Sequence, residues 1–172
     1  MTLLNQIFQT SGVSRTRRNH ALEHATLRVL SERNQNRMLA GYSDPGGFWI
    51  AGKVDTEELA ACAQEALQRL NSGEHDLAIH SNCGTNFATS GVLAGLAAWL
   101  AMLGIGKGLQ KKLDRLPLVI TVVTLALVIS QPLGLRVQRR FTTDAEPAGL
   151  RITTITVSER NGIPLHRVHT TG

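Results

Sequence analysis

The sequence predicts a small cytosolic α+β domain, of two helices and about five strands, anchored by a hairpin of two transmembrane helices. Three observations predict it. Residues 82–106 carry no Asp, Glu, Lys or Arg, and residues 116–135 carry none either. Outside these stretches, segments of helical periodicity alternate with short runs rich in β-formers and bounded by turn residues. The length, 172 residues, suits one compact domain plus an anchor. The divisions are residues 1–85 for an N-terminal α+β domain, 86–135 for the membrane hairpin, and 136–172 for a linker and a C-terminal β-hairpin.

In chain order, a first helix is predicted over Thr16–Glu32, where Leu22, Ala25, Val29 and Leu30 recur at helical spacing, with Ser14 or Thr16 as its cap. Met38–Tyr42 and Phe48–Val54 read as strands around the turn Asp44-Pro45-Gly46-Gly47. A second helix over Thr56–Leu70 is signalled by Asp55 with Glu58 three residues on. Its buried stripe is Leu59, Ala63, Ala66, Leu67 and Leu70, Cys62 reads as a small buried residue, and Asn71-Ser72-Gly73 ends it. Asp76–His80 is predicted as a short strand. Two spans follow, Asn86–Gly106 and Leu116–Leu135, each near the ~20 residues that cross a bilayer. Pro117 suits the first turn of the second span. The connector, residues 107–115, holds Lys107, Lys111, Lys112 and Arg115. Gly91 and Gly95 form a GxxxG that either packs the first span on the second or makes a homodimer seam. Trp99, in mid-span, is expected to pack on the second span. Phe141–Gly149 is a polar linker. Arg151–Ser158 and Ile163–Thr170 flank Asn161-Gly162, a strong hairpin signal. A two-stranded hairpin is marginal alone, so the N-terminal sheet is its expected partner.

Basic residues outnumber acidic ones by 18 to 13, which fits a surface lying on anionic lipid headgroups. No basic, aromatic-studded module is present, so nucleic acid is not the expected partner. Two cysteines make no disulfide framework. Met1–Thr10 offers neither the basic nor the long apolar region of a secretory signal. Lys and Arg nearly balance across the spans, four in the connector against Arg136, Arg139, Arg140 and then Arg151 beyond them. Both termini are therefore assigned to the cytoplasm on the missing signal.

Two motifs carry chemistry. His20-Ala21-Leu22-Glu23-His24 is an HxxEH within the first helix. His20 and His24, four apart, project from one helix face, a spacing that suits two imidazole ligands of one metal with Glu23 beside it. Zinc lowers the pKa of a bound water to ~7, and Glu23 would take its proton. The competing reading makes His20 and Glu23 solvated surface residues, with Arg15, Arg17 and Arg18 repelling a cation. The second motif is His80-Ser81-Asn82-Cys83-Gly84-Thr85-Asn86, at the head of the first span. Polar residues at a membrane mark a function or a cap. Asn82, Thr85 or Asn86 could cap the helix, and Gly84 could make the turn. Cys83 at a helix N-terminus has its thiolate favoured. It is a candidate third ligand for a metal on His20 and His24, with His80 an alternative or fourth, or else a nucleophile activated by a histidine. His166 and His169, three apart on a strand, lie on opposite faces and do not form one site.

The HxxEH resembles the motif of the inverzincin metallopeptidases. The resemblance implies ligands at His20 and His24, a base at Glu23, and a Glu ligand roughly seventy residues on. That distance falls in the first span, which has no Glu; Glu58, Glu65 and Glu74 lie closer. Over residues 17–143 the run RNHALEHATL, GGFWIAGKV, LAIHSNCGTN, RLPL and PLGLRVQRRFTT is similar to a family of uncharacterised bacterial membrane proteins of the cyanobacterial and Chloroflexi type. This resemblance implies a bacterial inner-membrane location and brings no activity with it. The expectation is a two-span inner-membrane protein with a zinc site on His20 and His24, completed by Cys83 or His80. Its reaction would be hydrolysis of a peptide or a membrane-associated ester or amide, with Glu23 or Cys83 as the reacting group. The rival expectations are an accessory subunit of a larger membrane complex, and a Cys–His hydrolase or acyltransferase using Cys83.

Overall fold

The structure is a computed structural model that describes residue 8 and residues 10–172. Apart from Phe8 and Thr10, the reading of Met1–Thr10 falls outside the described residues. The chain forms two compact units. One is built from the segment ending at His80 together with Thr142–Gly172, and the other is Ser81–Phe141.

The first unit is a mixed α+β layer structure. Helix α1 (Ser11–Arg33) starts five residues before the predicted Thr16. Neither Ser14 nor Thr16 caps it. The Ser14 N–H already bonds the Thr10 carbonyl, and the Thr16 hydroxyl donates back to the Gly12 carbonyl inside the helix. Strands β1 (Ala40–Asp44) and β2 (Gly47–Ala51) pair around Pro45-Gly46. Helix α2 (Thr56–Asn71) is capped as its sequence signals, the Asp55 carboxylate accepting from the Glu57 and Glu58 N–H groups. After it, His75–Ala78 is a single 3₁₀ turn, not the strand predicted over Asp76–His80. Leu77 and Ala78 are buried side by side, which suits a helical turn and defeats the alternation a strand needs. Strands β3 (Arg151–Arg160) and β4 (Ile163–Thr171) form a hairpin across Asn161-Gly162, where both residues have positive φ.

Four strands, not five, form the sheet among the described residues, in the order β1-β2-β4-β3 with every pair antiparallel. The register sets Phe48 beside Val168 and Ile50 beside His166. These face a core shared with Leu22, Ala25, Val29 and Leu30 of α1 and Leu59, Cys62, Ala63, Ala66 and Leu70 of α2. Burial in that core pushes the Cys62 thiol above its ordinary value. On the other face, Trp49 pairs with Arg167, whose guanidinium stacks 4.9 Å from the indole and bonds Asp44 at 2.7 Å.

The second unit is a helical hairpin of α3 (Gly84–Met102) and α4 (Leu109–Val137), with a short π-type turn, Gln138–Thr142, that continues α4 and enters the first unit at Thr142. Both helices are long and apolar enough to cross a membrane. Cys83 occupies the cap position of α3 with no side-chain cap bond, so none of Asn82, Thr85 and Asn86 caps it, and Gly84 is its first residue rather than a turn. The predicted connector is largely absorbed into α4. Lys, Leu, Gln and Arg are good helix formers, and Gln110 bonds Asp114 one turn on. Pro117 consequently lies inside the helix instead of at its start.

The seam between α3 and α4 corrects two further expectations. Ser90 and Ser130 bond at 2.7 Å, and Gly134 faces Asn86 closely enough that a Cβ there would stand 2.8 Å from Asn86 Oδ1. A Cβ at Gly91 or Gly95 would meet nothing within 4 Å. The GxxxG therefore faces away from the seam, and the small residue that admits the partner helix is Gly134. Trp99 is 60% exposed and does not pack on α4. The seam follows Asn86 and Ser90, and Gly91, Gly95 and Trp99 fall on the opposite side of a 3.6-residue helix.

Two pH effects follow from the sheet. The Arg167 guanidinium, with help from the Gly46 N–H, holds the Asp44 carboxyl below its ordinary value. Its contribution is complete above the unfolded value of ~3.9 and is lost as pH falls through the lower folded value. Asp44→Asn should lower the melting temperature at pH 7 by the equivalent of ~1–2 kcal/mol, and the gap should close below about pH 3 in thermal scans. Burial pushes His166 below its ordinary value. The folded state then binds fewer protons, so stability is full above about pH 6.5 and falls as the medium is acidified. His166→Leu should flatten the wild-type loss of stability between about pH 7 and pH 5 in the same scans.

Candidate metal centre

The HxxEH lies in the middle of α1, where the helix turns its buried stripe to the core. Glu23 and His24 are only 3% and 2% exposed, and His20 is half-buried. A solvated surface position is therefore excluded for Glu23. Glu23 points at β1, where the Ser43 hydroxyl donates to its Oε2 at 2.5 Å. It lies so close over Gly41 that a Cβ there would overlap the carboxylate. Gly41 and Ser43 thus seat Glu23. Nothing in the local sequence marks them, because their part depends on which strand α1 crosses.

The His20 and His24 rings lie with centroids 4.2 Å apart. His24 Nδ1 bonds the Ala78 carbonyl at 2.8 Å, and His20 Nδ1 bonds the Thr142 carbonyl at 3.0 Å. A carbonyl can only accept, so each Nδ1 carries the proton, and the neutral ring has its lone pair on Nε2. Metal-binding histidines are typically prepared in this way, one nitrogen anchored to a carbonyl and the other available as a donor. Both carbonyls belong to the last residue of a short helical turn, where no intrahelical N–H remains to bond them. The 3₁₀ turn also leads directly to His80, whose ring centroid is 5.6 Å from that of His24. Three histidines from two motifs thus meet within the first unit.

The three arginines upstream are engaged with the returning chain. Arg15 donates to the Thr170 carbonyl, Arg17 to the Thr143 carbonyl, and Arg18 lies 3.9 Å from Asp144. Asn19, next to His20, is fully buried; it donates to the Asp44 carbonyl and accepts from the Thr170 hydroxyl. These contacts bring Thr142 to His20. The acidic residues considered as a third ligand are committed elsewhere. Glu58 pairs with Arg37 at 2.8 Å, Glu65 with Arg33 at 2.6 Å, and Glu74 with Arg69 at 2.9 Å. Cys83 belongs to the second unit, at the head of α3. The other histidines stay apart from the cluster. His166 bonds the Thr56 hydroxyl, His169 pairs with Gly47 in the sheet, and His75 lies 3.4 Å from Glu146.

No solved structure matches this chain. A similar protein is an uncharacterized protein of Picosynechococcus sp. (strain PCC 7002), 36% identical over 167 residues, which span 88% of this chain and 77% of that relative. A family model described as a domain of unknown function matches residues 15–155, which include most of α1, both membrane-length helices and the first half of β3. The chain therefore belongs to that family, DUF6391.

Proposed function

We propose that this protein is a membrane-inserted metalloprotein with a zinc-type site on His20 and His24, closed by Cys83 with His80 beside it. The observation that carries the reading is the pair of Nδ1–carbonyl bonds, which set both Nε2 lone pairs for coordination. Histidine and cysteine side chains are donors of the types zinc prefers. Cys83 follows His80 by three residues, a tether that spans at most ~11 Å, and the chain turns at Ser81 and Asn82. The hairpin helices support membrane insertion, since their apolar side chains point outward, among them Phe87, Val92, Ile120, Val128 and Ile129. The location proposed is the bacterial inner membrane, with both termini in the cytoplasm and the basic surface against anionic headgroups.

The reaction proposed is hydrolysis of a peptide or of a membrane-associated ester or amide. A bound zinc supplies Lewis acidity and a water of lowered pKa. Glu23, held through Oε2 by Ser43, would take the proton of that water and pass it to the leaving amine or alcohol. His20 and His24 hold their rings in place through their backbone anchors.

Metal content by elemental mass spectrometry of the detergent-purified protein tests this. Wild type should carry about one zinc per chain. His24→Ala and Cys83→Ala should lose it, while Glu23→Gln should keep it, because a proton acceptor is not a ligand. A well-folded wild type without stoichiometric metal overturns the reading. Loss in His24→Ala alone would remove Cys83 from the ligand set.

A further inference from the structure

The turn that carries Cys83 is gripped twice by one residue of α3. The Asn86 N–H bonds the Cys83 carbonyl at 2.9 Å, and Asn86 Nδ2 donates to the Ser81 carbonyl at 2.8 Å. The first bond is an ordinary first-turn helix bond. The second reaches outside the helix and binds the residue two before Cys83. Asn86 is itself buried at the α3–α4 seam, where Gly134 of α4 leaves it room. A Cβ at Gly134 would stand 2.8 Å from Asn86 Oδ1 and 3.2 Å from Asn86 Cα. The second distance is to backbone, so α3 and α4 would have to move apart or Asn86 would have to leave its seat. The Ser90–Ser130 bond one turn further along fixes the same register of the two helices.

We propose that Asn86 and Gly134 are positioning residues for the Cys83 thiolate. Gly134 leaves the hollow in α4 that seats Asn86, and Asn86 ties down the turn that presents Cys83 to the metal. The inference rests on the zinc reading above, and it makes the packing of the two membrane helices a determinant of metal affinity. Gly134 has no side chain to coordinate anything, so its substitution can affect coordination only through the α3–α4 packing that seats Asn86. A merely stabilising role for either residue would change melting behaviour and leave the coordination spectrum intact.

The test is a Co²⁺ titration of the full-length protein in detergent, read by the thiolate-to-cobalt charge-transfer band. Wild type should show the band, and Cys83→Ser should lack it. Asn86→Leu keeps the bulk of the side chain and removes its donor. Asn86→Leu and Gly134→Val should each weaken Co²⁺ binding by about 10–100-fold and reduce the band. Gly91→Val, the same chemical change at a helix position where a Cβ meets nothing, should match wild type. Circular dichroism and elution volume keep a misfolded variant out of the comparison. If Asn86→Leu and Gly134→Val are folded and show the full band at wild-type affinity, the proposal is wrong while the zinc reading stands. If wild type shows no thiolate band, or Cys83→Ser keeps it, Cys83 is not a ligand, and this proposal fails together with that part of the zinc reading.

Discussion

Strand β4 lies between β2 and β3, so the last strand of the chain completes a sheet that residues 40–51 begin. Much of the first unit depends on this pairing. A β1–β2 hairpin alone is marginal in water, and so is a β3–β4 hairpin. Joined through β2 and β4 they become a four-stranded antiparallel sheet with one face against α1 and α2. Phe48 and Ile50 meet Val168 and His166 across the join, and all four are buried. Asn19 stitches the same place from the helix side, with one bond to β1 and one to β4. Buried amide groups need partners, and Asn19 finds both of its partners only when the two ends of the chain have come together.

The same closure prepares the histidines. Helix and sheet ladders use most backbone carbonyls, so a ring nitrogen can be anchored only where a ladder ends. Ala78 closes a 3₁₀ turn and Thr142 closes the turn beyond α4. One belongs to the segment before the hairpin and the other to the segment after it. The two rings on α1 thus read two distant parts of the chain. They take the tautomer that suits a metal because of where those parts end, an arrangement that neighbouring residues in the sequence do not encode. Glu23 is fixed differently, by a hydroxyl and a glycine of β1, and this gives the three polar groups of one short motif three separate supports.

In the hairpin, contact between helices is decided by which side of α3 faces α4. A GxxxG is a strong lexical signal, but a helix has several faces and the motif occupies one of them. The seam falls on Asn86 and Ser90, where polar side chains meet Ser130 and the hollow at Gly134. Polar groups in an apolar hairpin gain most by meeting one another, which draws the seam towards them and leaves Gly91, Gly95 and Trp99 outside.

Local chemistry made much of this protein legible from its sequence. The charge-free runs, the Asp55 cap, the Pro45-Gly46 and Asn161-Gly162 turns and the buried stripes of α1 and α2 act over a few residues, and each emerges where the residues signal it. The pairing of His20 with His24 was readable for the same reason, since four residues make one helical turn. The parts that could not be read depend on partners far along the chain. The stretch before His80 became a 3₁₀ turn because two adjacent side chains found the core, and the connector became helix because no turn residue stopped it after Gly108. The burial of Glu23, the engagement of Arg15, Arg17 and Arg18, and the choice of Nδ1 as the anchored nitrogen were all decided by tertiary structure. Each needs a carbonyl, hydroxyl or strand supplied from at least twenty residues away, and only folding brings those groups within a hydrogen bond's reach.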